Sequence, residues 1–417
     1  MLIYNAGVRA YTLAIHFFSL FNSKAKLWVE GRRNWKLSLQ EKTNRIKNDK
    51  KIWMHCASLG EFEQGRPVIE KIKSNYPNYK IVLSFFSPSG FEIRKNYEHA
   101  DVIIYLPSDT EKNARDFISI IKPEFAVFVK YEFWLNYLFE LNKQKIPVYL
   151  ISAIFREHHP FFKWYGKDFI NALKIYHKIF VQDTYSAELL KKINIETAMI
   201  CGDTRIDRVA SIKTLPADLP LIQNFSENAT VIVAGSTWPN DDEIILNAFR
   251  KLSENHSSIK LIIAPHETEI KNIQTLINKI NKSGLNFVLY SGKNPTTSAK
   301  VLVIDSVGIL SLVYRFGKIA YIGGGFNNGI HNILEPAVYS LPVVFGPNHK
   351  KFNEATILLS KKAAFEISDS NQCFEILNQL ISKESLLNKA GYEAGQYISA
   401  NEGATDKIIE QVFNIIK

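Results

Sequence analysis

Residues 52–75, IWMHCASLGEFEQGRPVIEKIKSN, contain a short apolar run, a small polar turn and a helix-length segment, in that order. The run 52–56 is typical of a buried strand, and 61–75 has the length of a helix. The same order of strand and helix recurs along the chain. This alternation predicts βαβ units, an α/β fold and a parallel sheet.

The apolar runs that we predict as strands fall into two sets. They lie at 52–56, 81–85, 102–105, 125–129, 148–152, 179–181 and 198–201, and then at 231–234, 260–264, 287–290, 301–304, 319–322 and 343–345. Residues 215–228 separate the sets, contain prolines and lack a clear period, which indicates a linker. Since 417 residues exceed one typical domain, we predict two Rossmann-like domains, 24–214 and 215–417, with a ligand-binding cleft between them.

The N-terminal segment 1–23 is apolar but carries Asn5, Arg9 and His16, and no small-residue cleavage site follows it. We predict a helix that lies on an anionic membrane surface, with a single membrane span as the alternative. Basic residues that follow could bind anionic lipid or form a solvated surface. These are Lys24, Lys26, Arg32, Arg33, Lys36, Lys42, Arg45, Lys47, Lys50 and Lys51.

The net charge and the cysteine content limit the kinds of ligand and binding partner that the protein can be expected to have. A net charge of +10 suits anionic ligands or surfaces, but we find no recognised nucleic-acid-binding motif and predict no nucleic-acid partner. The three cysteines, Cys56, Cys201 and Cys373, are widely separated. This argues against a disulfide framework or a thiolate metal site, and we expect core positions in a reducing cytosol.

The turn after the first predicted strand contains a candidate general base. Gly60 would allow a tight turn, Ser58 could cap the helix, and Glu61 lies in the first helical turn. The helix dipole favours an ionised carboxylate there, which could accept a proton from a hydroxyl group. The alternative is a capping box in which Ser58 and Glu61 satisfy backbone N–H groups.

A glycine-rich turn, 322–336 (IGGGFNNGIHNILEP), follows a predicted strand of the second domain. Glycines such as Gly324 would let the backbone approach a ligand, and a helix beginning near His331 would attract phosphate. Glu335 could accept hydrogen bonds from ribose hydroxyls. The pattern is neither GxGxxG nor a Walker loop. The alternative is a simple turn followed by a capping glutamate.

Three further loops follow strands of the second domain. The hydroxyls of Ser236 and Thr237 could hold a phosphate or merely cap a helix. Asp241 and Asp242 do not form a DxD pair, so we predict no metal ion and no cofactor. Backbone amides in two other segments could bind the edge of a nucleotide base. The segments are Pro265-His266 and Gly308-Ile309-Leu310.

Together these segments resemble the 3-deoxy-D-manno-octulosonic acid (Kdo) transferases of lipopolysaccharide and lipid A biosynthesis. The resemblance spans nearly the whole chain, in family order. It consists of the apolar N-terminus, His55-Cys56-Ala57-Ser58-Leu59-Gly60-Glu61, Tyr131-Glu132-Phe133-Trp134, Ala234-Gly235-Ser236-Thr237, Gly323-Gly324-Gly325, His331-Asn332-Ile333-Leu334-Glu335-Pro336 and Gly346-Pro347.

The resemblance implies a GT-B fold and an inverting transfer of Kdo from CMP-Kdo to a lipid A precursor, lipid IVA, at the cytoplasmic face of the inner membrane. It places the family's proton acceptor on Glu61. It places the CMP contacts on Pro265, His266, Gly308, Ile309, Leu310, Asn332, Ile333, Leu334 and Glu335. Helix N-termini after Gly235 and Gly325, with Arg205, would stabilise the departing phosphate.

Some positions depart from the family pattern. Pro265-His266-Glu267 stands where the family has Pro-Arg-His, so a permanent cation is lost, and Arg205 replaces a family lysine. Alternative functions are another GT-B enzyme using a UDP-sugar, either a transferase or an epimerase, and a two-domain solute-binding protein. The last would require export, for which the N-terminus lacks a cleavage site.

Overall fold

The computed structural model describes residues 1–130, 132–163, 166–292 and 298–416. They form two compact units. The first comprises Met1–Arg208 and the C-terminal residues from Glu402, and the second comprises Val209–Asn401. Each unit is built on one seven-stranded sheet whose strand pairs are all parallel. The predicted pair of parallel sheets is therefore confirmed. Tyr131 of the predicted Tyr-Glu-Phe-Trp motif lies outside the described residues.

The first sheet has the order β3-β2-β1-β4-β5-β6-β7. Its strands are β1 (Lys50–Cys56), β2 (Tyr79–Phe85), β3 (Val102–Tyr105), β4 (Phe125–Val129), β5 (Val148–Ala153), β6 (Lys178–Val181) and β7 (Ala198–Ile200). Its helices are α1 (Leu2–Phe18), α2 (Ser23–Glu30), α3 (Trp35–Asn44), α4 (Leu59–Asn75), α5 (Pro88–Arg94), α6 (Glu111–Ile121), α7 (Leu135–Lys143), α8 (Lys167–Leu173) and α9 (Thr184–Lys192). Helix α10 (Thr204–Thr214) begins in the first unit and ends in the second. A 3-10 turn covers Pro160–Phe162.

The second sheet has the order β10-β11-β9-β8-β12-β13-β14. Its strands are β8 (Thr230–Thr237), β9 (Ile259–Pro265), β10 (Phe287–Leu289), β11 (Val301–Val303), β12 (Ile319–Ile322), β13 (Val343–Phe345) and β14 (Ala364–Glu366). Its helices are α11 (Pro220–Ser226), α12 (Pro239–Asn255), α13 (Ile270–Lys282), α14 (Leu310–Val313), α15 (Leu334–Ala337), α16 (Asn353–Ser360), α17 (Ser370–Ser382) and α18 (Glu384–Asn401). A 3-10 turn covers Tyr314–Phe316.

The strands form because they are apolar on both faces, as expected for a parallel sheet covered by helices. From Lys51 to Cys56, every residue of β1 is buried. The covering helices present apolar residues at helical spacing; in α6 these are Ala114, Phe117, Ile118 and Ile121. All three cysteines are buried and free.

The end of the chain differs from the sequence prediction, which assigned residues up to 417 to the second domain. Helix α19 (Ala404–Ile416) belongs to the first unit. Phe413 stacks on Tyr76 with ring centroids 3.7 Å apart. The Asp207 carboxylate accepts hydrogen bonds from the backbone N–H groups of Gly403 and Thr405, both at 2.6 Å. Apolar periodicity identifies a helix in the tail but not the surface on which that helix packs.

The N-terminal segment is helical, and α1 is attached to the first unit through polar contacts. Tyr4 Oη donates to Asp109 Oδ2 at 2.5 Å, and Asn136 Nδ2 donates to Asn5 Oδ1 at 2.9 Å. Asp109 also accepts the backbone N–H of Tyr137 at 3.1 Å. Burial raises the pKa of Asp109 to about 6. Among the described residues, no helix combines the length and apolarity needed to cross a bilayer.

Several of the basic residues predicted to bind lipid are used inside the first unit. The Arg32 guanidinium lies 3.8 Å from the Trp28 ring centroid and donates to the backbone oxygens of Leu106 and Phe86. Burial lowers the pKa of Arg32 to about 9. Lys42 Nζ donates to Ile103 O at 2.9 Å. These cations stabilise helix packing, so a basic surface depends on the exposed lysines and arginines around them.

Candidate active site

Sheet topology indicates where each unit would bind a ligand. In the first unit, β1 pairs with both β2 and β4, and in the second, β8 pairs with both β9 and β12. At these points successive connections leave in opposite directions, and the loops beyond the carboxyl ends form a crevice. Ser58 and Glu61 follow β1, and the glycine-rich turn follows β12. The two predicted motifs therefore lie at the switch points of their own sheets.

Glu61 lies in the first turn of α4, directly after β1. Its side chain is partly exposed, and the Ser58 hydroxyl donates to its carboxylate. The N-terminus of α4 and the Ser58 hydroxyl both direct positive dipoles at this carboxylate. An accessible carboxylate at a crevice is suitably placed to act as a general base.

The alternative capping box is not formed. Ser58 occupies the N-cap position of α4 but makes no side-chain capping bond, because its hydroxyl points to the Glu61 carboxylate. The role predicted for Gly60 is also wrong. Gly60 lies within α4, and an added Cβ would meet only Ser58 Oγ at 3.7 Å. The turn therefore needs no glycine, and the space beside residue 60 is open.

A buried polar network that the sequence analysis did not assign lies beside this loop. Trp53 Nε1 donates to Ser84 Oγ at 2.8 Å, which leaves the Ser84 hydroxyl free to donate to His55 Nδ1 at 2.8 Å. His55 Nε2 then donates to Glu132 Oε2 at 3.1 Å. Trp134 Nε1 donates to the same carboxylate. Glu132, noted only as part of a motif, is thus held in place by partners on β1 and beside β4.

Two apolar cavities lie under α1 and share Tyr4 and Trp134. One has a volume of about 360 Å³. The other has a volume of about 440 Å³. The first is lined by Phe133, His159, Phe161 and Phe169 and contains the edge of Glu132. The second is lined by Val8, Tyr11, Phe86 and Ser108. Aromatic walls with few polar groups are typical of sites for apolar ligands.

Arg205, predicted to contact a phosphate, lies in the first unit at the start of α10. Its Nε and Nη2 atoms donate to Asp203 Oδ2 at 2.8 and 2.6 Å. A bidentate pair of this kind holds the guanidinium in one orientation. A phosphate that approached Arg205 would therefore contact a guanidinium whose charge is already balanced by the Asp203 carboxylate.

The structure brings the predicted donor residues of the second unit to one edge of its sheet. Ser236 and Thr237 end β8, Pro265 ends β9, and the other segments follow β11 and β12. Strands β11, β9, β8 and β12 are consecutive neighbours in the sheet. His266 N donates to Thr237 O at 2.9 Å. Residues separated by about a hundred positions thus share one edge.

The glycines of the turn have a packing role that the sequence analysis did not predict. A Cβ on Gly323 would lie 2.2 Å from Ser236 O, and one on Gly325 would lie 2.6 Å from Gly346 N. Gly324 has φ +90°, a conformation that L side chains rarely adopt. Gly323 and Gly325 therefore permit close contact between backbone segments of the protein.

Asp241 connects this turn to α12. Its carboxylate accepts the backbone N–H of Gly324 at 2.8 Å, the backbone N–H of Trp238 at 3.0 Å and the Tyr321 hydroxyl at 2.9 Å. Burial raises the pKa of Asp241, and these hydrogen bonds oppose the rise. Trp238 occupies the N-cap position of α12, so capping of this helix by Ser236 or Thr237 is excluded.

Trp238, His266 and His331 form a compact group of three rings, called here the ring cluster. Trp238 Nε1 donates to His331 Nε2 at 2.9 Å, and the planes of these two rings differ by 14°. The His266 ring stacks on both, with centroid distances of 4.7 Å to Trp238 and 4.3 Å to His331. The sequence analysis named both histidines but missed Trp238, for which no local signal exists.

The segment after His331 is less helical than predicted, because α15 covers only Leu334–Ala337. Asn332 Oδ1 accepts the backbone N–H of Leu334 at 3.1 Å, and Asn332 Nδ2 donates to Glu335 Oε1 at 3.0 Å. Ile333 and Leu334 are each 1% exposed. Their side chains belong to the core, so any ligand contact there would use main-chain groups.

Gly308 is exposed and has φ +95°, with nothing within 4 Å of an added Cβ. Glycine is required here by backbone conformation alone. Ile309 is the N-cap residue of α14, and Leu310 begins it. Leu310 also approaches the position of a Cβ on Gly235 to 3.1 Å. The Gly308 segment therefore lies beside the carboxyl end of β8.

Comparison with known proteins agrees with this arrangement. Residues 33–208 match the family model described as 3-deoxy-D-manno-octulosonic-acid transferase (kdotransferase). The 3-deoxy-D-manno-octulosonic acid transferase of Aquifex aeolicus is 29% identical over 79% of this chain and 86% of its own length. The corresponding protein of Rickettsia prowazekii is 25% identical over 99% of this chain and 89% of its own length.

The chain is similar in sequence to Kdo transferases over most of its length. These similarities confirm the resemblance drawn from the motifs and indicate that the protein is a glycosyltransferase. The Haemophilus influenzae relative is 27% identical over 86% of both chains. These alignments extend well beyond residues 33–208, so both units of the chain take part in the similarity to Kdo transferases.

Solved structures with the same fold come from several enzyme types. The UDP-GlcNAc 2-epimerase of Neisseria meningitidis, bound to UDP-GlcNAc, aligns with a TM-score of 0.62 over 87% of this chain and all of its own, at 15% identity. A glycosyltransferase of Rickettsia africae aligns with a TM-score of 0.59 over 89% of this chain and 99% of its own, at 12% identity. At such identities the likeness establishes a GT-B-like fold for this chain, and not its substrate.

Proposed function

We propose that this enzyme transfers Kdo from CMP-Kdo to a lipid A precursor such as lipid IVA, with inversion at the anomeric carbon. The Glu61 carboxylate takes the proton of the acceptor hydroxyl, whose oxygen bonds to the anomeric carbon while the bond to the CMP phosphate breaks. The observation that carries the proposal is Glu61 itself, an accessible carboxylate at the switch point of the first sheet with Ser58 donating to it.

The donor site is assigned to the second unit. In this proposal the loops after β8, β9, β11 and β12 supply main-chain N–H groups, the ring cluster and the Glu335 carboxylate to a nucleotide. CMP departs as a monophosphate, so no divalent cation is needed to bridge a diphosphate, and the proposal includes no metal and no cofactor. Fixed N–H dipoles would stabilise the charge that develops on the leaving phosphate.

The lipid nature of the acceptor is supported by the first unit. The cavities of about 360 and 440 Å³ are apolar, lie beside α1 and flank the loops that follow β2, β3 and β4. Glu61 follows the neighbouring strand β1. An amphiphile whose sugar lies near Glu61 and whose chains contact these aromatic walls is consistent with both features.

A nucleotide comparison is the first test. Thermal unfolding with CMP, UDP and no ligand, in buffer containing EDTA, is expected to show stabilisation by CMP. Ligand at 100 times its Kd adds about 2.7 kcal/mol to the unfolding free energy. Purified enzyme, CMP-Kdo and tetraacylated lipid A precursor should then yield a product whose mass contains added Kdo. Stabilisation by UDP alone would contradict the proposal, and so would a strict requirement for metal.

A second candidate is an enzyme acting on a UDP-sugar. The observation in its favour is the fold shared with UDP-GlcNAc 2-epimerases. The same unfolding experiment separates the two, because it compares UDP directly with CMP. Incubation with UDP-GlcNAc, followed by analysis of the released sugar, would detect epimerisation.

We further propose that the enzyme works at the cytoplasmic face of the inner membrane, held there by α1. Large apolar side chains on and after this helix face solvent: Leu2, Ile3, Leu13, Phe17, Phe18, Leu20 and Phe21. Leu13 is 71% exposed and Phe21 is 78% exposed. Contiguous exposed apolar groups followed by basic residues are typical of an interfacial anchor.

Substitution of Phe17 and Phe21 by aspartate is expected to reduce flotation with anionic vesicles about tenfold or more, because each aromatic ring contributes roughly 1.5–3 kcal/mol when fully buried. Point substitution is preferable to deletion of 1–21, since Tyr4 and Asn5 bind the folded unit. The matched control places aspartate at Ile93 and Ile270, which are 57% and 89% exposed. Equal flotation of both double variants would contradict the proposal that α1 anchors the enzyme to the membrane.

A further inference from the structure

The ring cluster has a hydrogen-bonding consequence for His331. An indole N–H can only donate, so His331 Nε2 must accept the bond from Trp238 Nε1 at 2.9 Å. An imidazole that accepts at Nε2 is neutral and carries its proton on Nδ1. The His331 ring therefore has one remaining polar group, an N–H donor.

We propose that Trp238 is a positioning residue of the donor site, which holds His331 as a neutral ring with its proton on Nδ1 so that this N–H donates to the anionic part of the ligand. The ligand class, a sugar nucleotide with a phosphate, rests on the proposed function. The tautomer and its cause rest on the contacts within the cluster. No property of the loop sequences after β8 and β12 suggests this pairing, which joins residues 93 positions apart.

The surroundings of His331 favour the neutral ring. His331 is half-buried, and the ring of another ionisable residue, His266, stacks on it with the centroids 4.3 Å apart. Burial first, and then the charge that His266 can carry, lower the pKa of His331 to about 4. The carboxylates on the adjoining helices have other partners, since Asp241 binds Gly324 and Trp238, and Glu335 binds Asn332.

The orientation of His331 is also restrained by its backbone. His331 N donates to Gly323 O at 3.1 Å, and its Cδ2 lies 3.0 Å from the position of a Cβ on Gly324. The backbone hydrogen bond fixes the main chain of His331, and the indole bond fixes its ring. A ring so held presents its donor without paying the entropic cost of ordering it when the ligand binds.

The first test uses the ligand-free protein and is independent of any activity. Nitrogen NMR of the histidine-labelled enzyme, with the His331 signal assigned by its loss in His331→Gln, should show the Nδ1–H tautomer from pH 8 to about 5. In Trp238→Phe, which keeps an aromatic ring beneath His266, both tautomers should appear, and the ring should become protonated at a higher pH. An Nε2–H tautomer in the wild type, or its titration near the ordinary pKa of about 6.5, would overturn the inference.

The second test measures the ratio of CMP dissociation constants, Trp238→Phe over wild type, so that ionisation of the phosphate cancels. At pH 7.5 we expect binding about fivefold weaker in the variant, the effect of one fixed hydrogen bond. At pH 5 the ratio should fall towards one. His331 of the variant is then protonated and donates from both nitrogens, so it offers the same Nδ1–H donor as the neutral wild-type ring. A ratio independent of pH would indicate a merely structural role for Trp238 and would refute the proposal.

Trp35→Phe is the matched control, since Trp35 lies in the first unit and packs on Phe117. Its ratio should be close to one at both pH values. The tautomer measurement and the CMP-binding measurement can fail independently of each other. If the tautomer is as described but CMP does not bind the wild type, the proposed function is wrong; if CMP binds with the other tautomer, only this inference is wrong.

Discussion

Glu61→Gln is expected to slow Kdo transfer by about 10²–10⁴-fold, the usual contribution of a general base, while leaving CMP affinity within about twofold. Glutamine is isosteric and can still accept a hydrogen bond from Ser58, so the start of α4 should be unchanged. What it lacks is the ability to take a proton from the acceptor hydroxyl. The loss should therefore appear in kcat, with little change in donor KM.

Glu111→Gln is the matched control, because Glu111 also lies in the first turn of a helix that follows a strand of the same sheet. Its exposed carboxylate accepts a long hydrogen bond of 3.3 Å from Asn5 Nδ2. Transfer by this variant should stay close to wild type. Near-normal turnover of Glu61→Gln, measured by product mass, would remove Glu61 as the base.

Gly325→Ala is expected to destabilise the second unit by at least about 2 kcal/mol, the range for added atoms in a packed interior. The new Cβ would meet the backbone of Gly346 at 2.6–2.9 Å, and backbone atoms cannot move aside as a flexible side chain can. For a unit of this size the loss corresponds to a fall in Tm of about 4–8 °C. CMP binding should weaken as well, because the displaced turn carries Gly324 and His331.

The comparison variant is Gly7→Ala in α1, where an added Cβ meets nothing within 4 Å. Alanine in an open helical position is neutral or stabilising by up to about 1 kcal/mol. Differential scanning calorimetry of both variants distinguishes steric clash from a general effect of the substitution. A Tm for Gly325→Ala equal to that of wild type would show that the close approach of the two backbone segments is unimportant.

Much of the architecture follows from local sequence. The apolar runs at 52–56 and 319–322 become β1 and β12 because residues buried on both faces must be apolar. The placement of Glu61 and the glycine-rich turn directly after strands also follows, since both lie within a few residues of the run that precedes them. Strand β14 was missed because Ala364–Glu366 includes an exposed glutamate and is only partly buried, so no apolar run marks it.

Other features depend on contacts between residues that are far apart in the chain. The glycines at 323 and 325 could equally serve a ligand or a neighbouring backbone, and only the positions of Ser236 and Gly346 decide between them. The packing of α19 on the first unit depends on Tyr76 and Asp207, which precede it by hundreds of residues. No periodicity in the tail records these partners.

The sequence alone thus determined the parallel α/β class, the two sets of strands and the loops that carry candidate chemistry, because burial and backbone preference act over a few neighbouring residues. Only the tertiary structure determined which loops meet. The order β11-β9-β8-β12 brings Trp238 to His331, and the order β2-β1-β4 brings His55 to Glu132. Strand order depends on the packing of the whole sheet. Because that order places Trp238 Nε1 against His331 Nε2, it also determines that the His331 proton lies on Nδ1.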